Sequence, residues 1–278
     1  MNAHEPRRYA SLFTRNAIHK EASAEDIHGQ EEITARMAYF MRSFGDLKFQ
    51  FDRVWQRDAV AVATWRWTGT DTGGFVERKP TQRRAGLMGA SVGFFNADGK
   101  IREIHLYEDG VTALSQLDAS AKPGSFREAP LDPTGQEPRA SQATNGPEEA
   151  SALDASKRLY AAIEGRDQAA LTALVADDAI IEDMATPPRA ERGKAAITRL
   201  LGDWQKTFGA FTELPLYNQL AVGETVIAER VLTTTMNRKI VKLHALDIAE
   251  WKDGKLQKLT VFSNTLELWG QIGPTARR

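Results

Sequence analysis

The sequence predicts an α+β protein built twice, and three observations carry the prediction. Two segments share one plan: Gly93 to Tyr107 (GFFNADGKIREIHLY) and Ala249 to Phe262 (AEWKDGKLQKLTVF) each place Asp-Gly between alternating apolar and polar runs. Asp-Gly in that setting signals a β-hairpin, because the pair tolerates the positive φ angles of a tight turn. Each hairpin closes a stretch in which short helical patterns precede a run of strands, the order expected of an α+β domain. Between the two stretches, residues 119–150 carry Pro123, Pro130, Pro133, Pro138 and Pro147 among Ser, Gly, Gln and Glu. That composition reads as a semi-extended, mobile linker. The predicted organisation is a domain over 1–117, a linker over 118–150 and a second domain over 151–273.

In the first copy the spacing predicts a helical turn ending near Phe13 and a strand over 17–22. An amphipathic helix follows over Gly29 to Phe44, with Ile33, Met37, Phe40, Met41 and Phe44 on one face. From Leu47 the period changes to two, giving a strand through Phe49 and Phe51, another over 59–68, a Gly- and Pro-containing loop, and a strand through Leu87 into the first hairpin. Val111 to Leu117 closes the copy as a last helical turn. The second copy replays this with an extra opening: a helix over 151–164 and a shorter one over 167–175. After them come a strand over 179–182, a helix over 193–208 and strands over 214–220, 226–235 and 239–251. Overlaying the copies brings Ala17-Ile18 onto Ala179-Ile180 and Glu21 onto Asp183. The first copy therefore starts where the second is already past its first helix.

Composition narrows the function. The chain has 278 residues, 42% hydrophobic and 26% charged, with a formal net charge of -1. Such a balance gives no bulk attraction to nucleic acid or to an anionic membrane. The absence of cysteine removes disulfide, thiolate and zinc-thiolate chemistry. With no leader-like or membrane-spanning run, the chain reads as cytoplasmic. The five histidines show no metal-ligand spacing and no phosphate-binding loop is present, so neither a metal nor a cofactor is expected.

Residues 63–107, with Trp65-Arg66-Trp67-Thr68-Gly69-Thr70-Asp71-Thr72-Gly73-Gly74-Phe75, Lys79-Pro80-Thr81, Arg83-Arg84 and the Asp-Gly-Lys hairpin, resemble the SnoaL-like polyketide cyclases. The second half is similar to the ketosteroid isomerase side of the same superfamily, through Ala176-Asp177-Asp178-Ala179, Ile181-Glu182-Asp183, Pro187-Pro188-Arg189 and Ala245-Leu246-Asp247-Ile248. The resemblance implies two cone-shaped nuclear transport factor 2-like domains, each a curved antiparallel sheet closed by helices around an apolar pocket. It further implies packing as an intramolecular pseudo-dimer, with homo-oligomerisation left open, and a hydrophobic small molecule as the partner.

Residue by residue, the isomerase base falls on Asp183 and the protonated acid on Asp247, while the oxyanion tyrosine falls by spacing on Leu159 with Tyr160 one residue on. The cyclase acid of the last strand is replaced by Leu106 in the first copy and Val261 in the second, and the usual loop histidine by Asp71. Asp247 stands among Val241, Leu243, Ala245, Ala249 and Trp251 on an otherwise apolar strand face. A carboxyl there must be protonated or hydrogen-bonded, with a raised pKa, or else be a structural aspartate held by backbone amides. Leu159, Trp204, Val261 and Trp251 would line the second pocket, and Glu21 and Trp65 the first. With Glu21 and Ser91 at the positions equivalent to Asp183 and Asp247, and no second acid, the first copy reads as a structural mate. The expected activity is cofactor-independent acid/base chemistry on a polyketide-like carbonyl compound, with Asp183 as base, Asp247 as donor and Tyr160, one residue off the tyrosine's spacing, as the third candidate catalytic residue. The alternative is a binding or assembly protein that has kept the pocket alone.

Overall fold

The computed structural model describes residues 2–22, 24–117, 130–185, 190–207, 216–236 and 238–272. Linker residues 118–129 and the Pro187-Pro188-Arg189 motif lie outside the described residues. The chain divides into two compact units, Met1–Ser141 and Gln142–Arg278.

The first unit runs α1 (Pro6–Ala10), β1 (Phe13–Glu21), β2 (Ile27–His28), α2 (Gly29–Ser43), β3 (Lys48–Arg57), β4 (Val60–Thr70), β5 (Arg84–Phe95), β6 (Ile101–Tyr107) and α3 (Gly110–Leu117). A last strand, β7 (Arg139–Gln142), completes a seven-stranded sheet in the order β2-β1-β6-β5-β4-β3-β7. The second unit runs α4 (Pro147–Glu164), α5 (Gln168–Leu174), β8 (Val175–Asp183), β9 (Ala190–Arg192), α6 (Lys194–Thr207), β10 (Leu216–Val222), β11 (Thr225–Met236), β12 (Lys239–Lys252), β13 (Lys255–Ser263) and α7 (Thr265–Ile272). Its six strands are ordered β10-β11-β12-β13-β8-β9. Both sheets are mixed, since β1 pairs with β6 and β8 with β13 in parallel, while the remaining registered pairs are antiparallel. The first unit has no counterpart of α4 among its described residues.

The duplication is exact in register where it matters. Ser91 lies opposite Leu106, and Leu106 opposite Glu21. Asp247 lies opposite Val261, and Val261 opposite Asp183. Partners in register share a sheet face, so each unit carries one three-residue row across its inner surface. One strand further, Trp65 is opposite Gly89 two residues from Ser91, as Arg230 is opposite Ala245 two residues from Asp247. Helix entry repeats too: the Asp109 carboxylate accepts the Thr112 amide at 2.9 Å, and the Asn264 side-chain Oδ1 accepts the Leu266 amide at 3.1 Å.

Three features depart from the sequence reading. The hairpins differ in their turns: Asp253 and Gly254 both take positive φ, 51° and 70°, as the sole residues between Lys252 and Lys255. The first hairpin spans Asn96 to Lys100, with only Gly99 at positive φ (71°). Helix α4 begins at Pro147, inside the expected linker. Pro fits a first helical turn, and Glu149 caps the approach by accepting the Thr144 and Gly223 amides. The linker from Pro130 onward is held against the first sheet: Arg84 pairs with Asp132, and Gln50 donates to Thr134 at 2.9 Å and accepts from the Gly135 amide at 2.8 Å. Polar side chains on β3 and β5 thus order a segment whose composition alone suggests mobility. No helix among the described residues is long and apolar enough to cross a membrane.

Candidate functional site

The first unit encloses a cavity of about 240 Å³. Its wall is aromatic: Phe40, Phe49, Trp65, Trp67 and Phe75 line it, and Leu12 and Phe51 stand at its rim with 53% and 45% of their surface exposed. The aromatic groups fix one another. Phe40 meets Trp67 edge-on at 5.1 Å, and Phe49 lies at 5.5 Å from Trp65 with a 31° tilt. The Trp65 ring lies over Gly89, and a methyl group at Gly89 would fall inside the ring's van der Waals envelope. Gly89→Ala should therefore destabilise the protein by roughly 1–3 kcal/mol through overpacking. Urea denaturation checks this; an unchanged midpoint would mean that Trp65 has another place to go.

Within this apolar wall sit His19, Glu21, Arg36, Ser91 and Glu108. Glu21 is paired with Arg36 at 2.8 Å from helix α2. Glu108 follows β6, two residues beyond Leu106, and therefore returns to the face that the row Ser91, Leu106 and Glu21 occupies. Trp67 donates its indole N–H to Glu108 at 3.2 Å. Glu108 keeps accessible surface where it lines the cavity, yet burial, helped by the negative charge of Glu21, pushes its pKa from the ordinary 4.5 up to about 7.

The sequence reading placed Glu21 and Trp65 at a first pocket, and both line this one. It passed over Glu108 because it looked for an acid only at position 106. The signal was the period of two: an acid displaced by two residues keeps the same face. Ser91 does hold the register of Asp247, as the overlay expects, and the further acid that lines the first cavity, Glu108, comes from the end of β6 instead. Asp71, standing where the loop histidine would be, is buried and holds the loop: its carboxylate accepts the Gly74 amide and both the amide and hydroxyl of Thr81, each at 2.9 Å.

In the second unit the expected residues are brought together differently. Asp183 and Asp247 flank Val261 on one face, their Cα atoms about 10 Å apart at two strand spacings. Tyr160 donates to Asp247 Oδ2 at 2.5 Å, and Arg230 Nε donates to the same oxygen at 2.6 Å. Burial, with the charge of Asp247 beside it, raises the Tyr160 pKa well above its usual range. Against its own burial, the Arg230 guanidinium is held protonated by Asp247 and Tyr160.

Spacing put Leu159 at the site and Tyr160 off it, but the structure seats Tyr160 over Leu232 and Leu243 while Leu159 packs in the apolar core. Asp247 is only 2% exposed; its Oδ2 accepts from both Tyr160 and Arg230, while its Oδ1 has no hydrogen-bond partner among the described residues. Arg230 is the residue that sequence reasoning missed, although it interrupts the apolar alternation of Ala228 and Leu232 on β11. Asp183 accepts the Ala185 amide at 3.0 Å. Val261 and Trp251 are buried in the same core as Leu159, and Trp204 packs against it.

The family model for the SnoaL-like polyketide cyclases matches residues 1–117, and that for the SnoaL-like domain matches residues 156–259. No curated protein matches the chain. Among solved structures, an M. tuberculosis LEH-like epoxide hydrolase is 20% identical with a TM-score of 0.39, covering 45% of this chain and 91% of its own. Bal32a, from a soil-derived mobile gene cassette, is 21% identical with a TM-score of 0.40, covering 44% and 95%. A protein from Jannaschia sp. CCS1 assigned as a SnoaL-like polyketide cyclase is 21% identical with a TM-score of 0.38, covering 42% and 80%.

Proposed function

We propose, for a chain that belongs to the SnoaL-like family through two domains in tandem, a cofactor-independent isomerase- or cyclase-like activity on a hydrophobic carbonyl compound, located in the first-domain cavity. The observation that carries it is Glu108, a carboxyl that faces an apolar cavity and accepts the Trp67 indole N–H, where burial raises its pKa to about 7. A general base works best when its pKa lies near the operating pH, and burial is how a glutamate reaches that range.

In this reading the Glu108 carboxylate takes a proton from the carbon next to a carbonyl. The C–H electron pair moves onto the carbonyl oxygen as an enolate, and the proton returns to the same carbon or to one conjugated with it. Trp67 orients the carboxylate through its indole N–H. Arg36, cationic and already balanced by Glu21, lowers the energy of negative charge developing between them. At about 240 Å³ the cavity is below the roughly 300–1,000 Å³ usual for ligand pockets, which favours a compact substrate of bicyclic size. The test is deuterium incorporation next to the carbonyl of 2-tetralone in D₂O, followed by NMR, with Glu108→Gln as the decisive variant.

A second reading is favoured by the 2.5 Å contact between Tyr160 and Asp247. There Asp183 is the base and the Tyr160–Asp247 pair the polar partner of the carbonyl, in the second domain. Asp183→Asn separates the two: under the first reading it leaves exchange within about twofold, since the residue lies in the other domain. Under the second reading Asp183→Asn abolishes exchange and Glu108→Gln does not. Binding of the ketone with no exchange by the unaltered protein would favour a non-catalytic binding role.

A further inference from the structure

Three polar groups stand in line along the inner face of the first sheet. On β1, His19 lies opposite Ile104 and Glu21 opposite Leu106; Glu108 follows two residues further along β6. Each step is one side-chain period, about 6.6 Å, so His19 and Glu108 mark opposite ends of the polar line with Cα atoms at least roughly 13 Å apart. His19 lines the cavity with only 2% of its surface exposed, and its Nδ1 has no hydrogen-bond partner among the described residues. Glu21 comes no nearer to that nitrogen than 3.8 Å, beyond a hydrogen bond. Burial, and secondarily Arg36, lower the imidazole pKa against the pull of Glu21 and of a contact with the residue's own backbone. Leaving such a group unpaired is costly, and an occupant of the cavity that hydrogen-bonds it recovers that cost.

We propose that His19 is a specificity-determining contact: its Nδ1 hydrogen-bonds an oxygen at the end of a compact apolar ligand remote from the carbon that meets Glu108. A neutral imidazole nitrogen is a donor in one tautomer and an acceptor in the other. A hydroxyl satisfies both, so the ligand class is a hydroxylated, otherwise apolar ketone. The inference rests on the first-domain cavity being the ligand site.

The test measures Kd by isothermal titration calorimetry for 2-tetralone and 6-hydroxy-2-tetralone, whose hydroxyl lies across the bicycle from the ketone. The unaltered protein should bind the hydroxylated ketone up to about tenfold more tightly, the gain expected of one well-made hydrogen bond. His19→Phe should erase the preference, and His19→Gln, which keeps a hydrogen-bonding amide, should restore part of it. Equal affinities in the unaltered protein, an undiminished preference in His19→Phe, or no binding of either ketone would overturn the proposal. Deuterium exchange on the same samples separates the two ideas, because a His19-dependent preference without exchange leaves the contact standing and removes the chemistry assigned to Glu108.

Discussion

Glu108→Gln is expected to lower kcat/KM for exchange of 2-tetralone by about 10²- to 10⁴-fold, the usual contribution of a positioned general base. The substitution is nearly isosteric, and the amide oxygen can still accept from Trp67, so the loss would be of the base and not of the fold. The rate in the unaltered protein should rise with pH and level off above an apparent pKa near 7, because only the carboxylate can accept the proton.

Stability should run the other way. The folded-state pKa lies above the unfolded one, so between about pH 4.5 and 7 the folded state keeps a proton that the unfolded chain releases. The favourable contribution is complete below about pH 4.5 and is lost as pH rises through 7. At 1.36 kcal/mol per unit it amounts to at most ~3 kcal/mol. Glu108→Gln has no such proton to lose and should gain on the unaltered protein by that amount between pH 4.5 and 8, in paired urea titrations. A variant with full activity and parallel pH–stability curves would place both the base and the perturbed carboxyl elsewhere.

The parts of the fold legible in the sequence were those written in periodicity and turn chemistry. The Asp-Gly pairs, the i, i+4 spacing of Ile33, Met37 and Met41, and the overlay of Glu21 on Asp183 anticipated the hairpins, α2 and the register of β1 and β8. What was not legible depends on partners distant in sequence. Strand β7 and the segment before it are ordered by Arg84 and Gln50, which lie more than 40 residues away. The short β2 and β9 have too few residues to show a period.

The same division applies to the site. Asp247 stood out because a carboxylate on an apolar strand face is costly, but the cost is met by Arg230, and only the β11–β12 register shows that the two are neighbours. Tyr160 was displaced from the site by an ungapped count along α4, and the packing of that helix against β11 and β12 decides otherwise. Glu108 was overlooked because a family position was read too literally. The cavity supplies what the count could not, namely that positions 106 and 108 share a face.

Asp247→Ala is expected to destabilise the second domain by roughly 3–5 kcal/mol, the range found when one partner of a buried ion pair is removed. The physical reason is that Arg230 and Tyr160 are both aimed at one carboxylate oxygen, from 2.6 and 2.5 Å, inside the domain. Removing the acceptor strands a buried guanidinium and a buried hydroxyl together. The double variant Asp247→Leu with Arg230→Met should recover most of that loss, since replacing a whole buried pair by apolar groups of similar volume is commonly neutral or stabilising.

The first domain already carries a nearly apolar solution at the equivalent register, with Trp65 and Ser91 in place of Arg230 and Asp247. Its fold shows that the sheet does not require the ion pair. If the pair is retained for chemistry, the double variant should be as stable as the unaltered protein while losing whatever activity the second domain has. Urea denaturation of Asp247→Leu, Arg230→Met and the double variant closes the cycle. A loss below about 1 kcal/mol in Asp247→Ala, the level of a surface ion pair, would mean that water reaches Arg230 and that the cluster is neither buried nor dry.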